Sequence, residues 1–167
     1  NLSIDANASG NQRLGPDEAY RFARGETITA HNGMRARLQQ SLDFLVVADH
    51  AFNIGVLVGL QTSNTKLLNT DAGKRLYRIY REMIDAPDET SRANASEKFY
   101  ASISIWSYKS TVIDDKHYSK YIWQRVTNAA DRYNEPGKFT AFIGYEWSSF
   151  GSEGPDGSEG KGNLHRV

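Results

Sequence analysis

Apolar side chains recur at helical spacing in three long stretches of the chain, residues 72–84, 92–108 and 115–133. Each stretch has an apolar residue at every third or fourth position, as on the buried face of an amphipathic helix. Pro87 follows the first stretch and Pro136-Gly137 follows the third, and both are helix-ending signals. We therefore predict three helices with these residues in the core: Leu76, Ile79, Tyr80, Met83, Phe99, Ile103, Trp106, Tyr118, Ile122, Val126 and Ala129.

Shorter signals predict local structure in the first sixty residues. Residues 16–25 begin with proline, carry acidic residues in the first turn and end with glycine, which is typical of a short helix. Residues 27–40 are predicted to form a loop with a turn at Asn32-Gly33. Residues 53–60 are small and apolar, and they indicate the start of a helix packed on a sheet.

Three short apolar runs predict β-strands at residues 44–48, 139–144 and 163–165. The first run is rich in β-branched residues, which favours a strand covered on both faces in a parallel α/β sheet. Asp49 and His50 follow the first run, Glu146 follows the second, and His165 closes the third. The carboxyl edge of such a sheet is where α/β proteins bind ligands and metals, so these side chains are candidate metal ligands.

The chain is long enough for one domain with a proper core. Residues from about 61 to about 135 are predicted to form a helical excursion between two strands. This segment is longer than one βα crossover needs, and we interpret it as an insertion that shapes a lid or a pocket wall. Residues 151–162 contain five glycines. This segment is predicted to be either a mobile loop that covers substrate or an ordinary surface loop.

The charge balance excludes some classes of partner. Twenty basic residues offset twenty acidic ones, whereas proteins that coat nucleic acid or membrane surfaces usually have a basic excess. We therefore expect neither partner. No apolar stretch approaches the roughly 20 residues of a membrane span, and there is no signal-peptide pattern. The sequence does not distinguish a bacterial periplasmic location from a cytoplasmic one, and it does not indicate the oligomeric state.

The chain contains no cysteine, which excludes disulfides and thiolate metal sites. His, Asp and Glu are then the strong ligand types that remain. The first residue is Asn1 rather than Met, and the last residues look like the start of a strand. We expect sequence to be missing at both ends.

Five motifs, taken together and in order, resemble an uncharacterised family, the domain of unknown function 3604 family, related to the PHP (polymerase and histidinol phosphatase) superfamily. The resemblance spans nearly the whole chain. The motifs are SIDA at residues 3–6, GNQRLGPDEAYRFARGE at 10–26, LDFLVVADH at 42–50, FIGYEWSS at 142–149 and GNLHR at 162–166.

This resemblance implies an α/β fold that forms part of a distorted (β/α)7 barrel, with a helical insertion. It also implies two or three divalent ions (Zn, Mn or Fe) in the full-length protein and hydrolysis of small phosphate esters. By their places in the motifs, Asp5, His50, Glu146 and His165 match metal ligands, and Glu146 matches a carboxylate that bridges two ions. His50 and Glu146 are thereby the candidate catalytic residues, and Asp49 is expected to orient an imidazole or hold a strand end.

The chain also departs from the family pattern. A PHP-type first motif opens with His-x-His, which in this alignment would fall immediately before Asn1. Later ligands, a further histidine and an Asp-x-His, would fall beyond Val167. We therefore expect the chain as given to bind metal weakly and to be inactive or nearly so by itself.

Each candidate also has a purely structural explanation. Asp49 and His50 could form a strand-end turn, Glu146 could pair with an arginine, and His165 could be a core histidine. Arg166 could contact an anionic ester oxygen or form a surface salt bridge. His31 and His117 have no motif around them and are predicted to lie on the surface.

The leading hypothesis is a metal-dependent hydrolase of phosphate esters, or of similar anionic esters such as sulfates. The alternative is a non-catalytic binding module that has lost its metal cluster. A third hypothesis places the function on the helical excursion, as a surface that docks a partner. We also expect the chain by itself to self-associate, because an incomplete sheet exposes a strand edge.

Overall fold

A computed structural model describes residues 2–8, 10–103, 113, 115–150 and 163–167 of the 167 residues. Within these ranges the chain forms seven helices and six short strands. The helices are α1 Ile4–Ala8, α2 Pro16–Ala23, α3 Val56–Gln61, α4 Thr65–Leu68, α5 Asp71–Ile84, α6 Glu89–Ile103 and α7 Lys116–Tyr133. The strands are β1 Ile28–Thr29, β2 Arg35–Ala36, β3 Phe44–Val46, β4 Thr140–Phe142, β5 Trp147–Phe150 and β6 Asn163–Arg166.

The strands form three separate two-stranded sheets. β1 and β2 are antiparallel, β3 and β4 are parallel, and β5 and β6 are antiparallel. The expected (β/α)7 barrel is therefore wrong, because no barrel closes within the described residues. The physical reason is the order of the elements within the described residues. Five helices separate β3 from β4, so the chain there does not alternate between strand and helix in the way that would add further parallel strands to this sheet.

The helices follow the sequence prediction more closely than the strands do. The helix expected from Pro16 is present as α2, the three long stretches overlap α5, α6 and α7, and α3 starts within residues 53–60. The side chain of Asp115 caps α7 by accepting a hydrogen bond from the Tyr118 N–H at 2.7 Å. Residues 104–108 of the second stretch, including Trp106, lie outside the described residues.

Two predictions about the strands are wrong. The turn expected at Asn32-Gly33 is present, but the rest of the loop expected at residues 27–40 contains the short β1–β2 pair. The run at residues 44–48 was expected to be covered on both faces, but Phe44 is 62 % exposed and Phe142 of the neighbouring strand is 52 % exposed. These two rings lie edge to face with their centroids 6.0 Å apart, on the opposite side of the sheet from Leu45 and Ala141.

Two apolar cores hold the described elements together. The larger core joins α1 and α3 to α7, and it contains Leu2, Ile4, Val56, Leu57, Leu60, Leu67, Leu76, Phe99, Ile103, Ile113, Tyr118, Ile122 and Val126. The smaller core packs α2 and the end of α7 on the helix-facing side of β3 and β4, and it contains Tyr20, Ala23, Ala129, Ala130 and Phe139. Because α7 contributes to both cores, it fixes the parallel sheet relative to the other helices.

Tyr20 connects α2 to the parallel sheet. Its hydroxyl donates a hydrogen bond to the Phe142 carbonyl at 3.0 Å, and its ring stacks on Tyr133 with centroids 5.7 Å apart. Burial raises the pKa of Tyr20, and the negative charge of Asp49 raises it further. Tyr20 therefore stays neutral and keeps its donor beside the strand that leads to Glu146.

We expect Gly55→Ala to destabilise the protein by about 3 kcal/mol, measured as the free energy of unfolding in a urea titration. Gly55 has φ +78°, and an added Cβ would lie 2.5 Å from Cδ1 of Ile122 on α7. Gly137 is the matched control, because it has φ +83° but nothing within 4 Å of an added Cβ. Gly137→Ala should cost only the backbone strain, about 1 kcal/mol. Equal losses in the two variants would contradict the close packing of α3 on α7.

Candidate functional site

The parallel pairing of β3 with β4 continues in the same register beyond the two strands. Phe44 pairs with Thr140, Val46 pairs with Phe142, and further along His50 forms a parallel bridge with Glu146. The Ala51 N–H donates to the Glu146 carbonyl at 3.0 Å, and the Glu146 N–H donates to the Asp49 carbonyl at 2.9 Å. The backbone thereby holds His50 and Glu146 side by side, although they are far apart in sequence.

The His50 imidazole lies between two carboxylates. Its Nδ1 is 3.6 Å from Oε2 of Glu146, and its Nε2 is 3.4 Å from Oδ2 of Asp5 on α1. The side chains of His50 and Glu146 are 26 % and 23 % exposed, whereas that of Asp5 is 50 % exposed. The cluster of Asp5, His50 and Glu146 therefore opens to solvent on the side of Asp5.

Asp49 anchors the segment that carries Asp5. Its carboxylate is buried and accepts hydrogen bonds from the Leu2 N–H at 3.0 Å, the Ser3 N–H at 3.3 Å and the Ser3 hydroxyl at 3.3 Å. The Leu2 carbonyl in turn accepts a bond from the Gly55 N–H at 2.8 Å. These bonds fix the residues immediately before α1, and α1 presents Asp5 to His50.

The two candidates from the third strand lie on β6. His165 pairs through its backbone with Ser148 of β5, but its side chain lies outside the described residues. Arg166 pairs with Trp147, and directly opposed residues of an antiparallel pair have their side chains on the same face. The structure therefore brings Asp5, His50 and Glu146 together, places Asp49 beneath them, and puts Arg166 beside Trp147.

An open groove of about 790 Å³ lies along β4 and the base of the β5–β6 hairpin. We call it the aromatic groove, and its apolar lining includes Val46, Trp123, Phe142, Ile143, Tyr145 and Trp147. Trp123 and Tyr145 meet edge to face with centroids 5.9 Å apart, and both also line a smaller hollow of about 200 Å³. Among the described residues that line the groove, Arg166 is the one that carries a charge.

The whole chain, residues 1–167, matches the family described as Protein of unknown function (DUF3604). The chain belongs to this family. No curated protein and no solved structure matches the chain. Membership of the DUF3604 family brings no activity with it, and the match does not extend to the PHP superfamily.

The donors of this DUF3604 chain suit a divalent ion by chemical type, because imidazole and carboxylate are common ligands of Zn, Mn and Fe. Two ligands of a tetrahedral zinc ion lie roughly 3.4 Å apart. His50 Nε2 and Asp5 Oδ2 have this separation. Glu146 lies at the other nitrogen of the ring, and within the described residues no group of three or more such side chains could hold one ion. Asp5 and His50 thus offer two ligands to one position.

Sequence reasoning missed the aromatic groove of the DUF3604 chain. The prediction put the aromatic residues of the long helices in the core, and Phe99 and Tyr118 are buried there, but Trp123 is 39 % exposed. Tyr145 and Trp147 flank Glu146 in the sequence, and they are 45 % and 46 % exposed. One signal in the sequence could have predicted this groove, namely the density of aromatic residues around Glu146. Ligand pockets are lined mainly by apolar and aromatic side chains around a few polar groups.

Other predictions about this chain concern the surface, the membrane and the glycine-rich segment. His31 and His117 are exposed, as expected. The described part of the chain contains no helix with the length and apolar character needed to span a membrane. The glycine-rich segment at residues 151–162 lies outside the described residues, so its predicted role as a loop over the site stays a prediction.

Proposed function

We propose that this chain provides part of the active site of a metal-dependent hydrolase that acts on phosphate esters or on similar anionic esters such as sulfates. The observation that supports this proposal is the cluster of Asp5, His50 and Glu146, three metal-competent side chains from segments distant in sequence. A relation to the PHP superfamily belongs to the same proposal and rests on these residues and their motifs. It does not rest on a barrel.

The two ring nitrogens of His50 suggest different roles for the two carboxylates. Asp5 and Nε2 of His50 would hold an ion, because their separation of 3.4 Å suits two ligands of the same ion. Glu146 lies 3.6 Å from Nδ1, where a carboxylate orients a metal-binding imidazole. A bound divalent ion would lower the pKa of a water molecule bound to it, and it would neutralise charge on the ester oxygens. The bridging role of Glu146 implied by the resemblance needs a second ion on its side of the ring.

The exposure of the three side chains gives the direction of substrate approach. Asp5 is half exposed, whereas His50 and Glu146 are mostly covered, so a small ester would reach the cluster from the side of Asp5. The covered carboxylate of Glu146 lies in surroundings that screen charge less than water does. His50 is thereby held in one orientation while the solvent-facing side remains open to substrate.

The alternative of a non-catalytic binding module makes a different prediction for the same cluster. Such a module would bind a small anion or an organic ligand without turnover, and its three clustered side chains would form only a structural ion-pair group. The two functions are separated by measuring metal content and hydrolysis in the same preparation.

Removal of metal should abolish hydrolysis by the full-length gene product. We expect treatment with a chelator, followed by its removal, to eliminate the turnover of 4-nitrophenyl phosphate or 4-nitrophenyl sulfate. Addition of Zn²⁺, Mn²⁺ or Fe²⁺ to the same sample should restore turnover, as followed by the release of 4-nitrophenol. Circular dichroism before and after chelation controls for unfolding.

Each other outcome of this experiment has a clear meaning. Turnover that survives chelation would exclude the metal-dependent mechanism. Stoichiometric metal without turnover of phosphate, sulfate or other anionic esters would favour the binding module.

A further inference from the structure

We propose that a pocket between four helices of this chain binds a small aromatic carboxylate. The pocket lies between α1, α3, α5, α6 and the segment that joins α1 to α2. We call it the helical pocket, and its lining includes Asn7, Arg13, Gln61, Tyr80, Phe99 and Tyr100. Its described lining contains no residue of the cluster of Asp5, His50 and Glu146, so this inference goes beyond the proposed hydrolase activity.

The size of the helical pocket suits a small organic ligand. Its volume is about 370 Å³, near the lower end of the range of about 300 to 1,000 Å³ for sites of organic ligands. Four helices contribute side chains to the lining, so a bound ligand would be contacted from several sides. We therefore expect a ligand with about the size of one substituted ring.

One wall of the helical pocket is a row of aromatic rings from α5 and α6. The ring centroids of Tyr80 and Phe99 are 5.6 Å apart, and those of Phe99 and Tyr100 are 5.5 Å apart. Phe99 is buried, whereas Tyr100 is 43 % exposed, so the row runs from the core to the surface. Leu57 and Met83 add apolar atoms to the lining. Such a surface favours the aromatic or apolar body of a ligand.

Neutral hydrogen-bonding groups belong to the same lining. The Asn7 amide donates to Oε1 of Gln61 at 3.1 Å and accepts from Nε2 of Gln61 at 2.9 Å. A side-chain amide has two N–H donors, so this reciprocal pair leaves each amide one N–H for a further acceptor. Burial raises the pKa of Tyr80, so its hydroxyl stays neutral and keeps its proton for donation. The helical pocket thus offers several neutral donors to an anionic oxygen.

Arg13 gives the helical pocket a positive charge. Among the described lining residues it is the one that carries a charge, and within the described part of the chain it forms no ion pair. A guanidinium binds a carboxylate through two parallel N–H bonds. A phosphate monoester carries a charge of about −1.5 to −2 at neutral pH, which one guanidinium would balance only in part. A carboxylate with one negative charge therefore fits the lining better.

Isothermal titration calorimetry of the full-length protein with 3-phenylpropionate tests the charged contact. The wild type should bind this ligand with a Kd of about 1 mM or below, and Arg13→Gln should weaken binding at least about tenfold. Arg78→Gln is the matched control, because Arg78 is exposed on α5 and does not line the pocket. This control should bind as the wild type does. Absence of binding to the wild type, or equal Kd values for the wild type and Arg13→Gln, would overturn the proposal.

The aromatic wall is tested with a second pair of variants. Tyr100→Ala should weaken the binding of 3-phenylpropionate about tenfold, because it removes one ring of the wall. Tyr145→Ala is the matched control, since Tyr145 is 45 % exposed and lines the aromatic groove instead. Circular dichroism confirms that both variants are folded. A loss of binding in Tyr145→Ala with none in Tyr100→Ala would place the ligand in the aromatic groove and would overturn the proposal.

Ligand analogues separate the contributions of ring and charge. Propionate lacks the ring and 3-phenylpropanamide lacks the charge, so each should bind at least about tenfold more weakly than 3-phenylpropionate. Phenyl phosphate, titrated into chelator-treated protein, distinguishes a carboxylate site from a phosphate site. Binding of phenyl phosphate that depends on Arg13 and is tighter than that of 3-phenylpropionate would refute the carboxylate assignment.

Discussion

Replacing His50 with alanine is expected to lower the metal-dependent hydrolysis of phosphate or sulfate esters by at least about 100-fold. The substitution removes both ring nitrogens, so Asp5 and Glu146 lose the group that lies between them. The content of Zn, Mn or Fe, measured by plasma mass spectrometry on the full-length protein, should fall in parallel. Glu146→Gln should also lower turnover, because a neutral amide at the Nδ1 side orients the imidazole less strongly than a carboxylate does.

His117→Ala is the matched control for this experiment. His117 is exposed at the start of α7 and belongs to no cluster described above, so its removal should leave metal content and turnover at the wild-type level. Thermal unfolding of all three variants checks that the fold is retained, which is expected because His50 and Glu146 are partly exposed. Undiminished turnover in His50→Ala would refute the assignment of this cluster as the catalytic site.

The residues that meet at the site were predictable from sequence to a greater degree than the fold was. An apolar run followed by Asp49-His50, and a second one followed by Glu146, indicate strand ends, and parallel pairing brings such ends together. The contact of Asp5 with His50 was less predictable, because it depends on an anchoring residue that is distant in sequence from Asp5. The five-residue helix α1 is held by the Asp49 carboxylate, and the motif around Asp5 does not contain that information.

The number of strands and the burial of their faces were not predictable from local patterns. Phe44 and Phe142 have the apolar character of buried strand residues, yet both are more than half exposed. An apolar pattern shows that a residue benefits from burial, but the neighbours that cover it come from elsewhere in the chain or from another molecule. The barrel expectation failed at this step, because within the described residues β3 and β4 form a single parallel pair.

Helices were predicted more reliably because their main determinants are local. The spacing of Tyr118, Ile122 and Val126 fixes the buried face of α7, and Asp115 caps its first turn. The same periodicity leaves Trp123 beside the stripe, where it is 39 % exposed and lines the groove. Aromatic character by itself suggested a core residue, whereas the helical position suggested a boundary residue, and the position was the better guide.

Asp49→Ala is expected to reduce the free energy of unfolding by about 3 kcal/mol and to lower ester hydrolysis as well. The substitution removes a buried carboxylate that accepts two backbone N–H groups and one hydroxyl, and it leaves these donors without their acceptor. The segment before α1 then loses its anchor, and Asp5 is no longer held 3.4 Å from His50. Urea unfolding measures the first effect, and turnover of 4-nitrophenyl phosphate measures the second.

Asp88→Ala is the matched control, because Asp88 makes the same kind of bonds at an exposed site. Its carboxylate accepts the Ser91 N–H and the Ser91 hydroxyl, both at 2.8 Å, at the start of α6. The N–H of Ser91 also lowers the pKa of Asp88, so this capping contribution is present above the ordinary carboxyl pKa and is lost as the pH falls through the lowered value. At neutral pH Asp88→Ala should therefore destabilise the protein less than Asp49→Ala does, and it should leave turnover unchanged.

Asp49→Asn separates the positioning role of Asp49 from its contribution to stability. The amide keeps one acceptor oxygen, so it should recover part of the stability and hold α1 more loosely than the carboxylate does. If Asp49 positions Asp5, the amount of Zn²⁺ needed for half-maximal turnover should rise in Asp49→Asn under conditions where the variant is fully folded. A folded Asp49→Asn protein with a wild-type Zn²⁺ requirement would limit Asp49 to stabilising the fold, because the geometry of Asp5 and His50 would then be independent of the anchor beneath them.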